Sequence, residues 1–242
     1  RPGRYLYLKE GRDVWSATYQ PIRVAPERFE ARHGLGYTTI TTCTKGVESS
    51  ATYFVPLKDP CEVWLFTLTN RTSRTRRLEL FPYVEWLLGD YHLELRYRNI
   101  MNLYNRVWLD QATGAIFAKK TAAWGDLNIQ PFTTLAFFAS SLPQEGVVTR
   151  KDAFLGRANT EERPGMLRDD AFETVPCCSG EDGVAVFRHR VTLKPGQSAT
   201  CCVVMGQAEP TQVPRLIKRY RQVTEARAEL ARVQAAWRSR IV

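Results

Sequence analysis

The sequence predicts an all-β domain, a sandwich of two antiparallel sheets followed by a C-terminal helix. Hydrophobic and polar residues alternate with a period of two in repeated runs between Tyr5 and Gly206. Turn residues separate these runs, and no helical pattern is interleaved between them. From Thr211 onward, apolar residues fall three and four positions apart, which is the spacing of one helix with an apolar stripe.

The first half of the chain supplies the clearest strands. Tyr37 to Thr42 and Val63 to Leu68 each divide their side chains between two faces. Leu78 to Leu88 predicts a long apolar strand, in which Pro82 indicates a sheet edge or a bulge because it lacks an N–H group. Turns are predicted between the runs at Lys45-Gly46, Lys58-Asp59-Pro60, Asn70-Arg71-Thr72-Ser73 and Gln111-Ala112-Thr113-Gly114.

The second half continues the pattern. Further strands are predicted at Val107–Leu109, Ile116–Lys119, Phe132–Phe138, Val184–Leu193 and Ala199–Gly206. Lys194-Pro195-Gly196-Gln197 has Pro and Gly where a type II turn needs them, so the last two strands should form a hairpin. The total of about fifteen strands is more than an immunoglobulin-type sandwich uses.

The predicted helix defines a second segment, which divides the chain into a sandwich at 1–209 and a helix at 210–242. Its stripe consists of Val213, Leu216, Ile217, Tyr220, Val223, Leu230, Val233, Trp237 and Ile241. Arg227 and Gln234 interrupt it. A stripe of this size needs a surface to pack on. We expect the stripe to be exposed in this chain and therefore to cause self-association.

Composition and charge exclude several classes of protein. With 242 residues, of which 44% are hydrophobic and 24% charged, the chain can bury a sizeable core. The net charge is +9, but the arginines are scattered and no recognition motif accompanies them, so we expect no nucleic-acid partner. No apolar run approaches the ~18 residues of a membrane span, so we expect no membrane association.

The six cysteines include two vicinal pairs, Cys177-Cys178 and Cys201-Cys202. Neither these spacings nor the three isolated histidines match a zinc site, so no metal is predicted. Most of the cysteines lie in apolar, strand-like runs. They are therefore interpreted as reduced, buried thiols of a cytoplasmic protein, with a strand-to-strand disulfide as the alternative.

Chemistry alone offers few catalytic candidates. Glu85 lies in an aromatic strand, where a carboxylate needs a partner, and we expect an ion pair with an arginine across the sheet. His33 precedes Gly34 and Gly36, which predict a tight chain reversal. This histidine suits a general base or, more commonly, a loop-holding hydrogen bond. The candidate acids are Glu30, Glu62, Glu85, Asp90 and Asp110.

A series of spaced motifs carries a family resemblance. They are Arg4-Tyr5-Leu6-Tyr7, Trp15-Ser16, Glu30 to Thr38, Tyr53 to Leu57, Cys61 to Trp64 and Tyr83-Val84-Glu85. In this order they resemble the amino-terminal domain of the inverting disaccharide phosphorylases of glycoside hydrolase family 94, formerly glycosyltransferase family 36, and in particular the cellobiose and cellodextrin phosphorylases. The resemblance implies a super-sandwich like that of galactose mutarotase.

The resemblance also implies a role for individual residues. Arg98-Asn99 matches an Arg-Asn pair whose arginine reaches the acceptor sugar, although the local spacing is stretched by Ile100 to Tyr104. The family's general acid is an aspartate of an (α/α)6 barrel, which has no match here, so no catalytic residue is assigned. Structural or interface roles are implied for Trp15, Arg32, His33, Gly34, Gly36, Tyr37, Phe154 and Gly156.

The leading hypothesis is thus a non-catalytic, carbohydrate-binding and dimer-forming domain of an inverting β-glucoside phosphorylase. Its implied partners are an oligosaccharide or β-glucoside, the missing barrel and a second copy, with inorganic phosphate as co-substrate and no resident cofactor. One alternative is a sugar mutarotase that uses His33 or His189 with Glu85 as acid and base. Another is a free-standing sugar-binding module.

Overall fold

The computed structural model describes residues 3–89, 91–121, 133–168 and 172–240. Its strands are β1 Arg4–Glu10, β2 Asp13–Ser16, β3 Arg28–Gly34, β4 Tyr37–Thr44, β5 Val47–Phe54, β6 Cys61–Asn70, β7 Arg76–Glu85, β8 Asn105–Asp110, β9 Ala115–Lys120, β10 Leu135–Ser140, β11 Gly146–Arg150, β12 Cys177–Ser179, β13 Gly183–Leu193 and β14 Ser198–Ala208. Its α-helices are α1 Tyr91–Arg96, α2 Arg98–Met101, α3 Lys151–Leu155, α4 Val213–Tyr220 and α5 Val223–Arg238.

The strands form two antiparallel sheets, as predicted. One sheet has five strands in the order β11-β13-β7-β1-β2, and the other has nine in the order β12-β8-β9-β10-β14-β6-β5-β4-β3. The rings of Phe138 and Phe187, one from each sheet, stack with centroids 5.6 Å apart. The two sheets therefore pack face to face around a shared apolar core.

Side-chain alternation along each strand builds three apolar layers. In β1, Leu6 and Leu8 join the core between the sheets, whereas Tyr7 joins a cluster on the outer face of the five-stranded sheet. Phe154 of α3 covers that outer cluster, and Trp15 of β2 is buried in the central core. The structural role expected for Trp15 and Phe154 thus has a physical basis in packing.

The turn between β4 and β5 follows its sequence. Lys45 and Gly46 both have positive φ, 53° and 70°, as a two-residue type I′ hairpin requires. The strand register runs from Thr44 opposite Val47 to Tyr37 opposite Phe54. The turn predicted here is confirmed.

The hairpin predicted at Lys194 to Gln197 is wrong. The turn itself is present, since the N–H of Gln197 donates to the carbonyl of Lys194 at 3.0 Å and Gly196 has a φ of +70°. However, β13 pairs with β7 and β11, whereas β14 pairs with β6 and β10. The turn therefore carries the chain from one sheet to the other instead of folding it back on its neighbour.

The interpretation of Pro82 as a marker of an edge or a bulge is also wrong. Strand β7 is the central strand of the five-stranded sheet, and Pro82 lies opposite Leu6 of β1. On the other side, the pairing with β13 is interrupted at Pro82 and resumes in the same register. Because proline has no N–H to donate, the ladder lacks hydrogen bonds there but needs no inserted residue.

The C-terminal segment forms two helices, not the single helix predicted, because the backbone at Gln222 is extended and separates α4 from α5. Both helices pack on the outer face of the nine-stranded sheet. Val213, Leu216 and Tyr220 are completely buried there. Among the described residues of the stripe, the expectation of exposure is therefore wrong except at Trp237, which is 36% exposed, and the stripe no longer supports self-association.

A polar cluster holds these helices in place. The carboxylate of Asp59, just before β6, accepts hydrogen bonds from Arg215 at 2.8 Å, Arg219 at 3.0 Å and the Tyr220 hydroxyl at 2.7 Å. Burial opposes ionisation of Asp59, but these donors outweigh it and lower its pKa. Arg219 also pairs with the buried Glu229 at 3.0 Å, which links α4 to α5.

All six cysteines are free thiols, and Cys61, Cys178, Cys201 and Cys202 are buried. Burial raises the pKa of Cys61 to about 12 and that of Cys202 to about 11. Both thiols are thus kept protonated and unreactive. Within the described ranges, no helix is both long enough and apolar enough to span a bilayer.

Candidate functional site

The residues selected from the sequence fall into two places in the fold. Arg98 of α2 lies beside the segment of Phe154 and Gly156, at one end of the sandwich. The hairpin from Arg32 to Tyr37 lies against the end of α5.

Glu85, at the end of β7, is the centre of the first place. Its carboxylate is 1% exposed and pairs with Nη2 of Arg98. Both of its oxygens also accept hydrogen bonds from Nζ of Lys151, at 3.0 and 2.9 Å. The predicted ion pair with an arginine is confirmed, although the arginine comes from helix α2 and not from a neighbouring strand.

Arg98 is held from two sides. Its Nε donates to Asp182 at 2.8 Å, and Asp182 also accepts a hydrogen bond from Asn102. The side chain is 23% exposed. Among the described residues, its Nη1 has no hydrogen-bond partner. The guanidinium of Arg98 is thus held in one orientation with Nη1 still able to donate, and Arg98 is not a solvated loop residue. Its neighbour Asn99 is exposed.

Lys151 links Glu85 to the chain segment that follows α3. It pairs with Glu161 at 3.2 Å in addition to Glu85. Burial lowers the pKa of Lys151, but the hydrogen bond and charge of Glu85, together with Glu161, outweigh burial and raise it overall. The lysine therefore remains charged, and it neutralises Glu85 jointly with Arg98.

A second, deeper ion pair supports the same end of the sandwich. Lys120 at the end of β9 pairs with Glu94 of α1, and both side chains are almost fully buried. Nζ of Lys120 also donates to the carbonyl of Met101 and to Oδ1 of Asn105, each at 3.1 Å. These bonds fix the α1–α2 segment that presents Arg98.

A cleft of about 350 Å³ opens beside the cluster. Lys151, Gly156, Asn159 and Asp182 are among its lining residues. Gly156 ends α3 with a φ of +84°, and a Cβ at this position would lie 2.9 Å from the amide nitrogen of Asn159. The cleft thus offers carboxylate, amide and ammonium groups, which are suitable partners for sugar hydroxyls.

The adjacent Phe154 is entirely buried. Its ring lies 5.6 Å from that of Tyr7 and 5.5 Å from that of Tyr83, measured between centroids. Phe154 therefore anchors the Lys151–Gly156 segment to the outer face of the five-stranded sheet.

The second place is the β3–β4 hairpin. Gly34 pairs with Tyr37 across a two-residue loop in which Gly36 has a φ of +78°, so the predicted chain reversal is confirmed. Nδ1 of the exposed His33 lies 3.1 Å from the hydroxyl of Thr38. Of the two roles weighed for His33, this geometry supports the loop-holding hydrogen bond.

Arg32 is also exposed and pairs with Glu30 at 2.5 Å. Gly36 has a further constraint, because a Cβ there would lie 2.5 Å from Nε1 of Trp237 in α5. The hairpin tip and the last helix thus pack so closely that only glycine fits between them.

The other candidate acids also have partners. Glu62 pairs with Arg4 at 3.0 Å, and Asp110 accepts hydrogen bonds from the backbone and hydroxyl of Thr113 at 2.8 and 2.6 Å. Asp90 lies outside the described residues. Within the described ranges, no group of three His, Cys, Asp or Glu side chains could hold a metal ion.

The histidines proposed for mutarotase-type chemistry, His33 and His189, lie far from Glu85 in the fold. His33 is on the edge strand of the nine-stranded sheet, whereas Glu85 is in the five-stranded sheet. His189 is buried in β13, five residues from Val184, the partner of Glu85. At ~3.3 Å per residue this separation is roughly 16 Å. Neither His33 nor His189 therefore shares a cleft with Glu85.

Comparison with known proteins identifies the family. The model of the domain described as "Glycosyl hydrolase 94, supersandwich domain" matches residues 1–223. The chain belongs to this family. The sequence resemblance is therefore confirmed, and so is the super-sandwich fold that it implied.

The relatives of this supersandwich domain are longer proteins. Solabiose phosphorylase of Paenibacillus borealis is 29% identical over 220 residues, which cover 89% of this chain and 27% of that protein. N,N'-diacetylchitobiose phosphorylase of Vibrio proteolyticus is 25% identical over 248 residues, covering 99% of this chain and 29% of that protein. The chain thus spans less than a third of the length of these curated relatives.

Solved structures share the fold. A bacterial glucoamylase complexed with acarbose superposes with a TM-score of 0.52 at 7% identity, over 92% of this chain and 28% of that one. At this identity the likeness concerns the fold alone.

The sequence did not point to Lys120, Glu94, Lys151 or Asp182. Lys120 is the last residue of a largely buried strand, which is the one local signal of a buried charge. The other three occur among charged neighbours in segments without a regular pattern.

Proposed function

We propose that this chain is a non-catalytic, carbohydrate-binding and dimer-forming domain of an inverting β-glucoside phosphorylase. The parent reaction is phosphorolysis of a β-linked glucoside by inorganic phosphate to give glucose 1-phosphate with inversion. The observation that carries the proposal is the family match over residues 1–223, combined with the small share of each phosphorylase relative that the chain spans. In this proposal residues 1–209 form the sandwich, and 210–242 lead toward an (α/α)6 catalytic barrel.

Arg98 is the residue proposed to contact the acceptor sugar, with Asn99 beside it. Glu85 and Asp182 fix two of the three guanidinium nitrogens, which leaves Nη1 available among the described residues. A guanidinium fixed in this way loses little conformational entropy when it donates to a hydroxyl. Its position beside a polar cleft supports a binding role and not a catalytic one.

The experiment is the acceptor KM of the Arg98→Ala variant, in the phosphorylase that contains this domain together with its barrel. Loss of a charge-assisted hydrogen bond costs about 1.5–3 kcal/mol, so we expect a rise in KM of roughly 10- to 150-fold. Arg190→Ala is the matched control, because Arg190 is an exposed arginine that pairs with Glu145 at the surface.

Arg98→Lys separates binding from folding, since lysine retains the charge opposite Glu85 but lacks the planar fork. A thermal melt checks that each variant is folded. A folded Arg98→Ala variant with an unchanged acceptor KM would rule out the proposed contact.

Dimer formation is supported by a different surface from the one expected. On the segment from α1 to residue 104, the side chains of Tyr91, Leu95 and Leu103 are 56%, 52% and 62% exposed. Neighbouring exposed apolar groups of this kind typically mark an interface. Light scattering over a concentration series is the direct measurement, and a single monomeric mass at every concentration contradicts this part of the proposal.

A cytoplasmic location is proposed as well. Its support is that all six cysteines are free and four are buried, as in proteins of reducing compartments.

A further inference from the structure

A groove of about 770 Å³ lies on the surface of the domain. It is bounded by the tip of the β3–β4 hairpin, by the chain after β5 and by the end of α5. Four aromatic side chains line it, those of Tyr37, Tyr53, Phe54 and Trp237, and none of them belongs to the cluster around Arg98. The volume lies within the range of about 300–1,000 Å³ that is usual for small-ligand sites.

Trp237 is held in place before any ligand binds. Its indole edge packs against Gly36 so closely that a Cβ there would lie 2.5 Å from Nε1. The guanidinium of Arg240 lies 5.4 Å from the centroid of the ring. Nevertheless, 36% of the side chain is exposed. Trp237 is thus a rigid, partly exposed aromatic surface, which loses little conformational freedom when a ligand packs on it.

The polar groups of the groove are also fixed. Nε of Arg4 pairs with Oε1 of Glu62 at 3.0 Å, and its guanidinium lies 5.3 Å from the centroid of Tyr53. The same Oε1 accepts a hydrogen bond from Trp64 at 2.5 Å. Within the described residues, Oε2 of Glu62 accepts no hydrogen bond. The groove therefore presents an oriented acceptor beside oriented donors.

We propose that this groove binds a neutral oligosaccharide. The apolar face of a pyranose ring would pack on Trp237, while the hydroxyls at the ring edge would bond to Arg4, Glu62 and Arg240. Glu62 neutralises Arg4, and sugar hydroxyls, which can both donate and accept, match an acceptor that lies beside donors. This inference goes beyond the proposed function, because it concerns different residues and does not depend on Arg98.

The test is calorimetric titration of this 242-residue chain with cellotetraose. We expect saturable binding that the Trp237→Ala variant weakens by about tenfold or more, as truncation of a central tryptophan does at other interfaces. Phe29→Ala is the control, since Phe29 is an exposed aromatic residue that does not line the groove, and it should bind as the unmodified chain does.

Two further variants keep the test decisive. Trp237→Ala removes packing from α5, so Glu62→Gln serves as a second groove variant that leaves the helix intact, and it should also weaken binding. Arg190→Ala should not, because Arg190 does not line the groove. The acceptor KM of Arg98→Ala tests the proposed function alone, so the two proposals can fail separately. The inference would be overturned if the unmodified chain showed no saturable binding. It would also be overturned if the Trp237→Ala and Glu62→Gln variants were folded and bound cellotetraose as tightly as the unmodified chain.

Discussion

His189 sets a limit on the stability of this domain in acid. The ring is completely buried in β13. Its Nδ1 lies 2.7 Å from the carbonyl oxygen of Pro143, so Nδ1 must carry the proton of the neutral ring. In the described part of the chain, Nε2 has no hydrogen-bond partner. A second proton would therefore place an unsatisfied charge in the core.

Burial accordingly lowers the pKa of His189 from 6.5 to about 4, and the nearby Arg221 adds to the effect against the opposing hydrogen bond to Pro143. Below pH 6.5 His189 becomes protonated in the unfolded chain, whereas in the folded chain it stays neutral until about pH 4. The free energy of unfolding therefore falls as the pH drops through this window. At ~1.4 kcal/mol per pKa unit, the loss is about 3 kcal/mol.

The perturbation is His189→Asn, which retains a side-chain N–H for the carbonyl of Pro143 but does not titrate. Urea unfolding, measured above pH 6.5 and near pH 4, gives the free energy for each protein. We expect the unmodified chain to lose about 3 kcal/mol more than the variant. His33→Asn is the control, because it removes an exposed histidine and leaves His189 in place. Parallel pH curves for the unmodified chain and His189→Asn would refute the reasoning.

Three further predictions follow from individual contacts. Lys120→Met leaves Glu94 buried and unpaired, so the free energy of unfolding in urea should fall by about 3–5 kcal/mol. The double variant with Glu94→Leu should recover most of this loss, and no recovery would contradict the ion-pair explanation. Gly36→Ala should lower the melting temperature and shift the Trp237 fluorescence, because the new Cβ cannot fit beside the indole; an unchanged spectrum would count against that contact. Cys177, the exposed cysteine, should react with a thiol reagent well before the four buried cysteines, and simultaneous labelling in the folded state would contradict the assigned burial.

The sequence predicts local structure well and long-range partners poorly. The reversal at Leu35-Gly36 and the turn at Lys45-Gly46 follow from residues within a few positions of each other. Alternation shows which side chains of a strand face inward, but it does not show which sheet the strand joins. That is why the turn at Lys194 to Gln197 was predicted correctly and the hairpin was not.

The candidate site shows the same division. The aromatic neighbours of Glu85 predict that it needs a cationic partner, and its pairing with an arginine could be foreseen. Asp182 and Lys151 could not, because Arg98 and Asp182 are 84 positions apart, and Lys151 is 66 positions from Glu85. Only the fold brings such residues together, and no periodic pattern marks them in advance.

The alternation of the chain between its sheets has a consequence for synthesis on the ribosome. Strand β7 can pair with β1 as soon as it is made. Its other edge pairs with β13, which is translated only after β8 to β12. At roughly 5–20 residues per second, those ~100 residues take about 5–20 s. Throughout this interval, the unpaired backbone groups of β7 beside Phe81 and Tyr83 form an apolar edge that another nascent chain could pair with. The newly made domain should therefore depend on chaperones most strongly between translation of β7 and translation of β13.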